Sequence, residues 1–445
     1  MKVLFVVTAF YPEQAIGSIR ITKLAKYFQE QGVSITVISL APPPWATRDE
    51  TLRFEGLEKI RWDVVNQSWI FRTVFQKARV TAIGPGSANA GVLAWSARRT
   101  LRKRIRATAQ LTYTLLKAID WSFRVRKHAK ENFKNRDFDF IFCSYPSFAS
   151  PLSGMQLKRL GVGKNLAVDF RDPVINSEAG RFSLRLWLQQ HMLRVADVRL
   201  YVSKGVQRQI LGENTTHWDL IASNGFDPQD ADDLKLVAPT GSSNKILRFV
   251  YTGAMYGGKR DMRPFFQAAA KVFTDSDYES DQVIFEYAGS EGAIFCSQAQ
   301  EFGLKDRVVD HGRLSRSEAL ALQKQSDVCL LATWNSASEQ GVLTGKVFEY
   351  FLLRKPIVAV VGGNLGQSEI SEVIKTIGAG HCVESAVPET FTELETWLEN
   401  ALDEKRATGV LLSRYNDGVN EFDLKDLAVR IRKKLQERLE LKAIL

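Results

Sequence analysis

The sequence predicts an α/β protein of two doubly wound, Rossmann-like domains facing each other across a cleft. Three observations carry this. Short apolar runs alternate with helical segments from the first residue to about 220, a polar stretch containing APTGSSNK then interrupts them, and the same alternation restarts. A chain of 445 residues is also long enough to bury two cores. The predicted division is 1–222, 245–405 and a C-terminal helical segment, 406–445, crossing back to the first domain.

The elements follow in order. MKVLFVVTA is a strand, FYPEQAIGSI a loop and RITKLAKYFQEQG a helix, with Ile21, Leu24, Ala25 and Phe28 at helical spacing and Gly32 at its stop. VSITVISL, rich in apolar and β-branched residues, suits a parallel strand covered on both faces. FDFIFCSYPS, NLAVDFRDP and DVRLYVSKG continue the series, with helices through MQLKRLG and RLWLQQHMLRVA. Beyond the linker, ILRFVYTG, QVIFEYAG, RVVDHG, DVCLLAT and PIVAVVG are five further strands. DLKDLAVRIRKKLQERLELKAIL has apolar residues at three- and four-residue steps and reads as an amphipathic helix. Open parallel sheets bind ligands outside their carboxyl ends. Fold alone does not choose between a binding protein, an epimerase and a transferase.

Composition excludes several classes. Hydrophobic residues at 45% and charged residues at 25% are those of a globular chain. Cys143, Cys296, Cys329 and Cys382 are scattered without a C-x-x-C pair and read as reduced thiols, and five histidines offer no zinc-type spacing. No signal peptide and no apolar run of membrane-spanning length is expected, which points to a cytoplasmic protein. The net charge of +10 is concentrated in a basic insertion at 64–119, which has ten Lys and Arg and no Asp or Glu. Within it Arg98, Arg99, Arg102, Lys103 and Arg106 share a helical segment with Leu101, Ile105, Leu115 and Ile119. Such a helix suits the anionic inner face of a membrane; it reads otherwise as a solvated helix packed on its own domain. No nucleic-acid-binding motif accompanies the charge.

The most informative segment is GVLTGKVFEYFLLRKPIVAV, 341–360. It follows a predicted strand and opens a helix, so Thr344, Gly345 and Lys346 present N–H groups at a helix N-terminus, which attracts phosphate. Lys346 adds a point charge suited to a diphosphate. Glu349, one turn on, can accept hydrogen bonds from vicinal ribose hydroxyls; it reads equally as a carboxylate stabilised by the helix dipole.

This segment resembles the nucleotide-sugar site of family 4 glycosyltransferases with the GT-B fold, in the form K-x-x-E-Y-x-x-x-x-[KR]-P. Members often carry two glutamates spaced E-x7-E. Glu349 matches the second, Gly341 stands at the first, and Glu339 lies two positions away. YTGAMYGGKRDMRPFFQAA is similar to the family's first donor-domain loop. From Gly253 onward it supplies Lys259 for the diphosphate, with Arg260 in place of an arginine expected at Ala254 or Met255. The turn after HG, which approaches the base in relatives, points to Gly312, Arg313 and Leu314. SNGFD resembles the interdomain turn, so Asn224, Gly225 and Asp227 are expected to be structural.

FYPEQAIGSIR resembles the glycine loop that faces the donor phosphates, with Gly17 where a Gly-Gly pair is usual and Arg20 in the next helix. CSYPSFASP and DFRDPV are similar to members acting in surface-polysaccharide assembly. Ser144 and Tyr145 occupy the region where many members have a histidine, leaving Arg20, Tyr145, Arg171 and Asp172 as acceptor or reaction-centre candidates. Asp172 before Pro173 reads equally as a turn residue.

The resemblance implies retaining transfer of a hexosyl unit from a nucleoside-diphosphate sugar to a glycan or lipid-linked acceptor. Charge develops on the leaving diphosphate, where Lys259, Lys346 and the Gly345 amide stabilise it, with Asp172 at the reaction centre. No cofactor or metal is expected, since the DSD at 275–277 falls between elements. Two other functions share the architecture: a sugar-nucleotide 2-epimerase-like isomerase, which needs several acidic and histidine groups at the cleft, and a non-catalytic sugar-nucleotide-binding subunit.

Overall fold

The computed structural model describes residues 1–13, 16–42, 46, 48–71, 96–134, 137–173, 184–230, 245–273 and 283–444; at 16, 51, 96–107 and 443–444 it describes the backbone alone. The N-terminal lobe runs β1 (Lys2–Val7), α1 (Ile16–Glu30), β2 (Ser34–Ser39), β3 (Arg61–Val64), α2 (Ser96–Asn132), β4 (Phe138–Tyr145), α3 (Ala149–Arg159), β5 (Gly163–Phe170), α4 (Leu184–Val195), β6 (Val198–Tyr201), α5 (Lys204–Leu211) and β7 (Asp219–Ile221). The C-terminal lobe runs β8 (Leu247–Thr252), α6 (Arg263–Phe273), β9 (Val283–Ala288), α7 (Gly292–Gln300), β10 (Val308–Asp310), α8 (Arg316–Gln325), β11 (Val328–Trp334), α9 (Gly345–Leu353), β12 (Ile357–Gly362), α10 (Glu369–Ile377), β13 (Gly380–Glu384) and α11 (Glu389–Thr408). A final helix, α12 (Leu424–Ile444), closes the chain.

Each lobe holds one parallel sheet. The first has the order β3-β2-β1-β4-β5-β6-β7 and the second β10-β9-β8-β11-β12-β13. The order reverses between β1 and β4 and between β8 and β11, so each sheet opens a crevice at the carboxyl ends of those strands. Helices cover both faces, which is why Val3 to Val6 on β1 and Val328 to Leu330 on β11 are all fully buried. Three short strands, β3, β7 and β13, extend the sheets beyond the strands read from sequence.

The chain crosses between lobes twice, and the crossings pair with each other. Phe226 N–H donates to the Phe422 carbonyl at 2.9 Å, and Leu424 N–H donates to the Phe226 carbonyl at 3.0 Å. A Cβ on Gly225 would fall 2.1 Å from the Phe422 oxygen, so the crossing requires glycine there. Beyond it, α12 lays Leu424, Leu427, Ala428, Ile431 and Leu435 into the N-terminal core beside Leu24 and Phe28. Its far end is pinned by Lys442 to Asn165 and Asp197.

Candidate functional site

A cavity of about 380 Å³ lies between the lobes, walled by segments that follow β1, β8 and β11. It therefore uses the crevices of both sheets. On the C-terminal side the wall is the start of α9. Thr344 has extended N-cap geometry but makes no side-chain cap, and its buried Oγ1 has no partner among the described residues. The first turn of α9 contains no carboxylate, so its N–H groups and dipole face the cavity uncompensated. Lys346 and Glu349 line the same wall and pair at 2.8 Å. Glu349 is also reached by Gln323 Nε2 at 3.0 Å.

The loop after β8 supplies the roof. Gly253, Gly257 and Gly258 all have positive φ, which lets the chain turn sharply over the sheet edge. The amides of Met255, Tyr256 and Gly257 are satisfied by the Glu291 carboxylate at 2.7, 3.1 and 2.8 Å. Those three bonds hold Glu291 below the usual carboxylate range. Gly253 and Arg260 line the cavity, and Arg260 stacks on Tyr256 with its own Nη1 on the Ala254 carbonyl. Lys259 lies outside the lining. Its ammonium sits 3.6 Å from the Trp334 ring centre and 2.8 Å from Glu339.

On the N-terminal side Arg20 lines the cavity and is held by the protein itself. Its guanidinium is buried in a two-pronged pair with Asp169 at 3.0 and 3.1 Å and donates to the Ala222 and Ser223 carbonyls. Gly17 is covered by Arg171: a Cβ there would fall 2.2 Å from Arg171 Nη1. Burial lowers the Arg171 pKa, with Asp169 opposing the shift and Arg20 reinforcing it. Asp172 is exposed but crowded, and lost hydration raises its carboxyl; Tyr145 is buried, which pushes its hydroxyl up to about 12. Tyr145, Arg171 and Asp172 thus gather at the carboxyl ends of β4 and β5, outside the cavity lining.

Several expected residues are not brought together. Gly312, Arg313 and Leu314 follow β10 and do not line the cavity. Gly341 faces the N-terminal lobe, against Ser203 and Gly205. Arg98, Arg99, Arg102, Lys103 and Arg106 lie in α2, but their side chains fall outside the described residues. Asn224 and Asp227, expected to be structural, stand at the crossing and also line the cavity; Asp227 accepts from Lys23, Lys26 and Tyr27. No group of His, Cys, Asp or Glu able to hold a metal ion occurs among the described residues.

Other cavity residues carry little sequence signal. Arg316 lines the cavity and reaches Asp49 of the other lobe at 3.8 Å and Asp230, just past the crossing, at 3.4 Å. The capping box of Ser315 and Glu318 marks it only as the first residue of a helix. Tyr256 is exposed at a φ of 52°, a backbone state invisible in sequence.

The sequence matches no protein-family profile, and a search of curated proteins found no match. Solved structures do match over nearly the whole chain. A sucrose-phosphate synthase from Thermosynechococcus elongatus has a TM-score of 0.58 at 13% identity, covering 99% of this chain and 100% of its own. The lipopolysaccharide outer core galactosyltransferase WaaB scores 0.54 at 12% identity, covering 97% and 100%. A UDP-GlcNAc 2-epimerase from Methanocaldococcus jannaschii scores 0.50 at 12% identity, covering 98% and 100%. At these identities the likeness shows the fold, which is of the GT-B type.

Proposed function

We propose that this chain is a glycosyltransferase that binds a nucleoside-diphosphate sugar in the interlobe cavity and transfers the sugar to a glycan or lipid-linked acceptor. The observation that carries the reading is the α9 wall: an uncapped helix N-terminus, an orphan Thr344 hydroxyl, Lys346 and Glu349 on one surface. The diphosphate meets the amides of Gly345 and Lys346 and the Lys346 ammonium, which leaves Glu349 for the ribose. As the glycosidic bond breaks, the same fixed donors hold the charge developing on the β-phosphate. Lys259 joins them only after exchanging Glu339 for the ligand. Tyr145, Arg171 and Asp172 face the acceptor. Retention of configuration, independence of metal and a place in cell-surface polysaccharide assembly rest on the family 4 resemblance.

On this reading the N-terminal lobe docks on an anionic membrane at the cytoplasmic face. Leu116, Ile119 and Phe123 form an exposed stripe on α2, and Trp69 is exposed beside it, where Ser68 N–H meets Asp120. Apolar residues at that spacing beside a basic run suit a headgroup interface. Retention on anionic vesicles at low salt, reduced by Phe123→Asp, is expected; no retention defeats this part.

Incubation with UDP- and GDP-sugars and a membrane lipid extract tests the whole. Sugar transferred to lipid supports the reading, epimerised nucleotide replaces it with an isomerase, and binding without turnover replaces it with a binding subunit. Calorimetry on Glu349→Ala is expected to show nucleotide affinity at least about tenfold weaker, one lost charge-assisted hydrogen bond.

A further inference from the structure

On the reading that Glu349 meets the ribose, we infer that Gln323 is the positioning residue that fixes the Glu349 carboxylate and so sets selectivity for ribose over 2′-deoxyribose. Gln323 lies on α8, is 0% exposed and does not line the cavity. Its two amide hydrogens are both used. One goes to Thr252 Oγ1 at 2.8 Å, the last residue of β8, and the other to Glu349 Oε2 at 3.0 Å. Facing a carboxylate, the amide can present only its nitrogen, so its orientation is determined.

The consequence falls on one oxygen. Oε2 of Glu349 receives Gln323 and, at 2.8 Å, Lys346, whereas no described residue donates to Oε1. Two donors on a single oxygen stop the carboxylate from turning and leave the other oxygen as the acceptor offered to a ligand. The two donors are not equivalent. Lys346 stands at the helix N-terminus proposed for the diphosphate, and an arriving anion draws its ammonium away from Glu349. Gln323 is anchored on Thr252 inside the lobe and stays. With nucleotide bound, Gln323 is the donor that keeps Glu349 aligned with the ribose hydroxyls.

For folding, this side chain brings gains and a cost that oppose each other: its two N–H bonds stabilise, and its oxygen does not. Gln323 Oε1 is buried and has no partner among the described residues, and a buried orphan acceptor opposes folding. An apolar residue of similar length relieves that cost while losing the two bonds, so Gln323→Met is expected to stay folded with a melting temperature close to wild type while losing nucleotide selectivity.

The test is calorimetric titration of the full chain with UDP, GDP and their 2′-deoxy counterparts. Wild type is expected to prefer the ribonucleotides. Gln323→Met and the shorter Gln323→Asn are both expected to shrink that ratio severalfold, with a smaller loss of affinity for the deoxynucleotides, which keep only the 3′-hydroxyl for Glu349. Adding Gln323→Met to Glu349→Gln is expected to change the ratio no further, since Gln323 acts through Glu349. An unchanged ratio in a folded Gln323 variant overturns the inference and leaves the transferase reading standing. Failure of wild type to bind any of the four nucleotides overturns that reading first, and the inference with it.

Discussion

Gly341 and Gly205 meet across the two lobes: a Cβ built on Gly205 falls 2.5 Å from the Gly341 Cα, and one built on Gly341 falls 2.8 Å from the Gly205 Cα. Gly341 also has a φ of 66°, and its missing Cβ would crowd Ser203 Oγ at 2.4 Å and Glu369 at 2.8 Å. The position at which the resembled family carries its first glutamate is here a flat contact between lobes. Glu369 uses the adjoining space to accept from the Lys204 and Gly205 amides, both at 2.8 Å, while Lys204 pairs with Glu372.

Placing a glutamate at 341 is therefore expected to damage this protein. Gly341→Glu forces a strained backbone and a clash with the start of α5, an effect on the order of 1–3 kcal/mol. A lower melting temperature and a larger radius of gyration in small-angle scattering are expected. A variant as compact and stable as wild type would falsify the interlobe role of Gly341.

Arg20 and Asp169 give a second prediction. Both are buried, and Ser144 also donates to Asp169 at 3.2 Å. Asp169→Asn leaves a guanidinium without its counter-charge and is expected to destabilise by about 3–5 kcal/mol, because an unpaired buried charge keeps its desolvation cost. Denaturant unfolding measures this directly. A loss of activity in Asp169→Asn with unchanged unfolding midpoint returns Arg20 to the substrate.

The third prediction concerns pH. Burial raises the Glu369 pKa, opposed by the Gly205 and Lys204 amides. A raised folded pKa means stability present below the ordinary glutamate value, about 4.3, and lost as pH rises through the folded value. Other carboxylates mask this in the whole profile. Burial would raise Asp197 and Asp227 too, but Lys158 and Lys23 beside them outweigh it and hold both low, so they add stability as pH rises. The wild-type melting temperature minus that of Glu369→Gln isolates the effect. That difference is expected to shrink as pH rises from about 4; a flat or growing difference contradicts the assignment.

Much of the architecture was legible because buried parallel strands must be apolar along their whole length, and helices must show one apolar stripe. The runs at 2–7, 34–39, 247–252 and 357–362 announced themselves this way. β3, β7 and β13 did not: RWDV, DLI and GHCVE are short and interrupted by polar residues or glycine, so none shows a continuous apolar run. In the cleft, Thr344, Gly345, Lys346 and Glu349 were legible because a helix start fixes them relative to one another within two turns.

The sequence by itself determined the alternating strands and helices of the two doubly wound lobes and the helix start at α9, which depend on neighbours within a few residues; the linker read at APTGSSNK lies almost wholly outside the described residues. Tertiary structure alone decided what each charge was used for. Arg20, read as an acceptor contact, pairs with Asp169, 149 positions away; Lys259, read as a diphosphate contact, rests on Trp334 and Glu339; Gln323, which the sequence did not single out, donates to Glu349. The reason is physical. Periodicity reports how a residue sits on its own element, while the partner of a side chain is chosen by the packing of elements far apart in the chain.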